Sequence, residues 1–121
     1  MKLIYLTLAI LLLTGSAYSQ SAGEILAFNS ERVANGVSIT WTPSVKPETN
    51  HFEIQRSDDG VNWKLIAIMF PYEDGTVSHS YKYTDKLQSE ANAYYRIRQI
   101  DINKKESFSK SILVSNGLAD K

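Results

Sequence analysis

Beyond the first twenty or so residues, apolar and polar positions alternate in short runs broken by Gly, Pro and acidic residues, with no helical period. Gly36–Thr42 (GVSITWT) sets Val37, Ile39 and Trp41 on one face. His51–Ser57 sets Phe52 and Ile54 on one face, with Glu53 and Gln55 on the other. Ser78–Thr84 alternates Tyr81 and Tyr83 against Ser80 and Lys82, and Tyr94–Ile100 alternates Tyr95 and Ile97 against Arg96 and Arg98. Two strands are less strictly patterned. Glu24–Asn29 carries Ile25, Leu26 and Phe28, and Glu106–Ser115 gathers its apolar residues at Ile112–Val114. Trp63–Phe70 is apolar on both faces, with Leu65 and Ala67 opposing Ile66 and Ile68, so a loop or a partner is expected to cover part of it.

The punctuation fits this reading. Pro43 and Pro47 flank a polar connection that continues neither strand nor helix. Asp58-Asp59-Gly60 turns the third strand into the fourth, with Gly60 free to take positive φ. Pro71 ends the fourth strand, Glu73-Asp74-Gly75 makes a second turn, and Asp101–Lys105 is a charged turn around Asn103. Seven short strands at near-regular spacing predict an all-β fold, a seven-stranded antiparallel sandwich with Greek-key connections.

The N-terminus changes the compartment. Met1-Lys2, an apolar run from Leu3 to Leu13 and the small residues of Ala17-Tyr18-Ser19 have the layout of a secretory signal peptide over residues 1–19, cleaved before Gln20. The apolar run is well short of the roughly 20 residues a membrane span needs. A secreted, periplasmic or cell-surface location is expected, with no membrane span after cleavage. Residues 20–23 form a short linker, 24–116 one domain, and 117–121 a frayed tail. There is no cysteine, so packing rather than disulfides holds the domain. The full chain has 13 basic and 13 acidic residues, and losing Lys2 leaves a formal charge of −1. The basic stripe of a nucleic-acid binder is missing.

With the strands placed, the residues resemble a fibronectin type III-like domain, which shares the immunoglobulin-like Greek key. The Trp41 strand resembles that family's second strand with its buried Trp, and YTDKLQSEANAYYRIRQID resembles the run from its fifth strand into its sixth. WTPSVKPETNHFEIQRSDDGVNW, YKYTD and YYRIRQID are most similar to the fibronectin-like modules of secreted Bacteroidetes proteins. Those modules usually precede a sorting domain for type IX secretion, and no Pro-Asn-Pro-like strand follows Val114 here. The resemblance implies structural roles for these residues and no catalytic or ligand set.

Chemistry is sparse. His79 lies between Ser78 and Ser80, with Asp74 and Asp85 nearby in sequence, but no nucleophile turn or oxyanion loop accompanies them. Asp58-Asp59-Gly60 and Glu73-Asp74-Gly75 lack the ligand spacing of a calcium loop and read as turns. Neither a metal nor a cofactor is expected, and the chain is read as a non-enzyme. Trp41 reads as core, while Trp63, Tyr72 and Tyr94 are candidates for stacking on a sugar.

The richer candidate is an outer face. If the third and sixth strands pair, Glu53 and Gln55 lie beside Tyr94, Arg96 and Arg98, either as a solvated charge ladder or as a protein-contact face. Trp41, Phe52, Ile54, Tyr95 and Ile97 are structural. Arg56 falls in phase with the inward residues and needs a carboxylate, with Asp85 and Asp101 the candidates, so that the pair pins one end of the sandwich. The function expected is that of a monomeric, non-catalytic interaction or spacer module whose partner is another protein or an envelope glycan. The alternative is a carbohydrate-binding module or adhesin.

Overall fold

A computed structural model describes residues 23–44, 48–72, 79–86 and 92–115. The signal peptide, the Glu73-Asp74-Gly75 turn and the tail expected from the sequence lie outside the described residues. No helix of the described residues is long and apolar enough to cross a membrane.

The described chain is all β. Its strands are β1 (Ile25–Val33), β2 (Gly36–Pro43), β3 (Thr49–Ser57), β4 (Lys64–Met69), β5 (Tyr81–Asp85), β6 (Ala93–Asp101), β7 (Glu106–Phe108) and β8 (Ile112–Val114). They form two antiparallel sheets. The smaller has the order β1-β2-β5; the larger runs β4-β3-β6-β7, with β8 also paired to β6. The inward residues of both sheets make one core of Val37, Ile39, Trp41, Phe52, Ile54, Tyr81, Tyr95, Ile97 and Val114. Every apolar residue expected to face inward on β2, β3 and β6 is in that list.

Trp41 organises the core. It is 1% exposed, its ring stacks on Tyr81 at 5.5 Å, and it meets Phe52 edge-on at 5.7 Å. Both arrangements suit the aromatic quadrupole and add to the apolar burial. Each fully buried large side chain contributes about 1.5–3 kcal/mol. Three strands in two sheets (β2, β3 and β5) therefore share one aromatic contact.

The strand boundaries depart from the sequence reading by a few residues at several ends, with β3 beginning at Thr49 rather than His51 and β5 spanning Tyr81–Asp85 rather than Ser78–Thr84. β1 runs on to Val33 and turns directly into β2, where Val33 opposes Gly36. Ser30 lies inward opposite Ile39, and a polar residue on a buried face is invisible to a hydrophobic-period search. Gly36, at φ 147, is held against β5: a Cβ there would collide with the Asp85 carbonyl oxygen.

The last strand is split in two, giving eight strands among the described residues where the sequence pattern predicts seven. Arg98 opposes Phe108 while Tyr95 opposes Ile112, so one extra residue is accommodated between them. Ser109 fills the gap. Its N–H donates to the Ile97 carbonyl, and its Oγ accepts from the Ile97 N–H at 2.8 Å, as a backbone carbonyl would in an unbroken ladder.

A bulge also corrects the two-faced reading of β4. Ile54 opposes Ala67 and Gln55 opposes Leu65, which leaves Ile66 as the extra residue. Ile66, Ala67 and Met69 pack against the core, while Leu65 and Ile68 both face outward and are 48% exposed.

Candidate functional site

Because β3 and β6 pair along their length, their outward residues meet in rows: Glu53 opposes Arg98, and Gln55 opposes Arg96. The first row is an ion-pair chain. Arg98 Nη1 donates to Glu53 Oε1 at 3.0 Å, and Arg98 Nε donates to Glu106 Oε1 at 2.8 Å, with Nη2 at 2.7 Å from the same oxygen. His51 Nε2 lies 3.1 Å from Glu53 Oε2 and extends the chain. Burial alone would raise the Glu53 pKa, but the hydrogen bonds from His51 and Arg98 outweigh it and hold it below the ordinary carboxylate value.

The second row is built differently. Arg96 Nε donates to the neutral Gln55 Oε1 at 2.7 Å. Its guanidinium lies 4.2 Å from the Trp63 ring centre and 4.3 Å from that of Phe108, within cation–π range of both.

The β3–β4 connection makes this stacking possible. β3 ends at Ser57 and β4 begins at Lys64, so the loop is six residues long rather than a tight three-residue turn. Ser57 Oγ accepts from the Asp59 and Gly60 N–H groups, and Asp59 Oδ1 accepts from the Val61 and Asn62 N–H groups at 2.8 Å. These donors from Asn62 and Val61, with the Asn62 and Ser57 side chains, hold the Asp59 carboxyl well below its usual pKa. Its oxygens are committed to shaping the loop, and Gly60 takes φ 79 as expected. The loop folds back so that Gly60 packs on the Tyr94 ring and Trp63 reaches Arg96.

Apolar side chains frame the polar rows. Glu53 and Gln55 are opposed on β4 by Ile68 and Leu65. Across β6, Arg98 is opposed by Phe108 and Tyr94 by Leu113. Ile68, Leu65, Phe108 and Leu113 are 42–48% exposed. Glu53, Gln55, Tyr94, Arg96 and Arg98 are thus brought onto one face, as the sequence suggested. His51, Trp63, Glu106 and Phe108 complete it. The alternation Glu106-Ser107-Phe108 carried the signal for two of these, but in a strand read as a single run its short length hid it.

The inward side of the same strands carries the other predicted contact. Arg56 Nη1 donates to Asp85 Oδ2 at 2.6 Å, and Tyr95 Oη donates to the same oxygen at 2.7 Å. Asp85 belongs to β5 of the small sheet, Arg56 and Tyr95 to β3 and β6 of the large one, so this cluster ties the two layers together. Burial lowers the Arg56 pKa, but the Asp85 hydrogen bond and charge overcome that and raise it; burial and then Asp85 push the Tyr95 hydroxyl up strongly. Asp101, the other acid considered for Arg56, instead accepts the Asn103 and Lys105 N–H groups and caps the β6–β7 turn.

The remaining candidates disperse. His79 packs edge-on against Tyr72 at 4.7 Å, and Asp85, an acid considered for a triad, is occupied by Arg56 and Tyr95. Ser80 shares a hydrogen bond with Thr42. Of the three sugar-stacking candidates, Trp63 and Tyr94 lie on the outer face, against Arg96 and beside Gly60, while Tyr72 stacks on Tyr81 at 4.8 Å. Among the described residues no group of three or more His, Asp or Glu side chains is placed to hold a metal ion.

No family model matches the chain, and no curated protein matches it. Among solved structures, the chain is similar in fold to part of a beta-1,2-glucanase from Parabacteroides distasonis. The TM-score is 0.54 at 21% sequence identity, over 83% of this chain. The match spans only 13% of the glucanase chain.

Proposed function

We propose that this chain is a non-catalytic, fibronectin type III-like module that acts by presenting the outer face of its larger sheet to another protein, outside the cell or at its envelope. The observation that carries the reading is the frame of four large apolar side chains, Leu65, Ile68, Phe108 and Leu113, around a centre of arginine and aromatic residues. A face that served only to be solvated would gain nothing from that frame. Arg, Trp, Tyr and Phe side chains gathered at the centre of one face are the residue types enriched at contact sites. Two further observations support the family reading: the strand orders β1-β2-β5 and β4-β3-β6-β7, and the buried Trp41 on the second strand. The leader-like residues 1–19 support export, and an exported protein beginning at Gln20 is the expected product.

Site-specific photo-crosslinking tests the contact face. With a crosslinking residue at Leu65 or Phe108, the protein in its native host is expected to form a discrete protein adduct. The same residue at Thr40 or Lys82 of the small sheet is expected to form none. Equal adducts from both sheets, or none from Leu65 and Phe108, would defeat the reading.

A second reading, a carbohydrate-related accessory module, is favoured by the fold likeness to part of a glucanase and by Tyr72, which is 53% exposed and backed by Tyr81. Retardation in affinity electrophoresis through β-1,2-glucan, abolished by Tyr72→Ala, is its expected signature.

A further inference from the structure

Three arginines project from β3 and β6, and two of them are neutralised. Arg56 holds Asp85, and Arg98 holds Glu53 and Glu106. Arg96 has no acid. Trp63 and Phe108 flank its guanidinium, and Gln55 takes Nε. A guanidinium has five N–H donors in a planar fork. Among the described residues no acceptor reaches the four on the terminal nitrogens of Arg96.

We propose that Arg96 is a carboxylate-receiving site at the centre of the contact face, built to take an Asp or Glu side chain from a protein segment with apolar flanking residues. The inference rests on the proposed contact face and names the chemistry of its occupant.

The geometry suits that ligand. A guanidinium held over ring faces has its in-plane edge left to bond, and that edge matches a carboxylate through two parallel hydrogen bonds. Gln55 fixes the rotation of the fork from the other side, so little conformational freedom remains to be lost on binding. Burial and then the neighbouring Arg98 both work against the charge on Arg96, a cost that a bound carboxylate would offset, and Glu106 and Glu53 are already bound to Arg98. Phe108 against it, Leu65 beyond Gln55 and Ile68 beyond Glu53 in the next row are 42–48% exposed. Those neighbours offer contacts to Leu- or Phe-like side chains, so an acidic peptide segment with apolar flanks fits better than an acidic glycan.

Three probes test this on the full mature chain: a seven-residue peptide with one Glu among leucines, the same peptide with Gln, and a galacturonate trimer. The readout is the 15N shift of the Arg96 Nε–H and the Trp63 indole N–H, with affinity from the titration. The Glu peptide is expected to move both resonances and to bind about tenfold tighter than the Gln peptide, the advantage of a charge-assisted bidentate pair. Arg96→Gln is expected to erase that preference. Arg96→Lys, which keeps the charge and serves if Arg96→Gln does not fold, is expected to shrink it. Lys82→Gln on the small sheet is expected to leave it intact. Equal binding of both peptides, with shifts at Leu65 and Phe108, would overturn the carboxylate site and leave the contact face standing. Galacturonate binding at Arg96 without peptide binding would overturn the protein segment in favour of an acidic glycan. No movement on this face with any probe would overturn the site and the contact face together.

Discussion

Arg56 and Arg98 come from the same antiparallel pair of strands, and each holds a carboxylate, yet the two pairs do different work. The acid of Arg56 is Asp85 of the opposite sheet, its side chain 3% exposed. The acids of Arg98 are Glu53 and Glu106 of its own sheet, and the arginine side chain is 32% exposed. The Arg56 side chain is 21% exposed and that of Glu53 is 12%, so the two pairs differ in degree of burial. The pair that spans two layers resists their separation, and breaking it leaves Arg56 partly buried without its acid. A pair along one half-exposed sheet face is replaced by water at less cost. Strand alternation therefore divides β3 and β6 into an inner side that holds the fold and an outer side free to carry contacts.

Several measurements would break or sharpen that division, beginning with the largest effect. Asp85→Ala leaves Arg56 without its acid and Tyr95 without its acceptor. The expected loss is about 3 kcal/mol, the low end of the range for breaking a buried pair because Arg56 keeps some contact with water, read from urea unfolding. Tyr95→Phe removes only the hydroxyl donor to the same carboxylate. It is expected to cost about 1.5–3 kcal/mol, and a loss below about 0.5 kcal/mol would show the hydrogen bond to be idle.

Arg98→Ala on the outer side is expected to cost about 0.2–1 kcal/mol, and the difference from the parent should shrink in high salt. The pH dependence follows from Glu53, whose folded pKa is lowered. Its contribution is present above the ordinary glutamate value of about 4.3 and is lost as pH falls through the depressed value. The stability gap between the parent and Glu53→Gln is therefore expected to be open at pH 7 and closed near pH 2. A gap that persists in acid would mean the residue acts through packing instead. The smallest effect expected is at the β6–β7 turn, where Lys104 sits at φ 69. Relief of that strain in Lys104→Gly is partly offset by the entropy of glycine, leaving a gain of a few tenths of a kcal/mol in the melting curve.

The inner side was legible in the sequence because period-two alternation needs only the strand itself. Trp41, Phe52, Ile54, Tyr95 and Ile97 follow from it, and so does the inward Arg56. The need of a buried cation for an acid narrowed its partner to two, but only tertiary contact decides between Asp85 and Asp101. The outer row of Glu53, Gln55, Arg96 and Arg98 was legible once β3 and β6 were taken as neighbours. What the sequence hid is irregular. The Ile66 bulge exchanges the faces of half of β4, and the Ser109 insertion separates β7 from β8. The loop of residues 58–63 carries Trp63 onto Arg96 through Asp59, whose role as a hub for backbone donors looks in sequence like an ordinary acidic turn.

The division of labour is tested most directly by comparing Asp85→Ala with the outer-face variant Glu53→Gln/Arg96→Gln/Arg98→Gln in one experiment: urea unfolding alongside crosslinking from Leu65. The outer-face variant is predicted to lose about 1–2 kcal/mol, less than Asp85→Ala, with its m-value unchanged, and to lose its crosslinked partner altogether. If instead it unfolds as readily as Asp85→Ala, or keeps the adduct undiminished, the outer face is part of what holds the fold rather than what the fold presents.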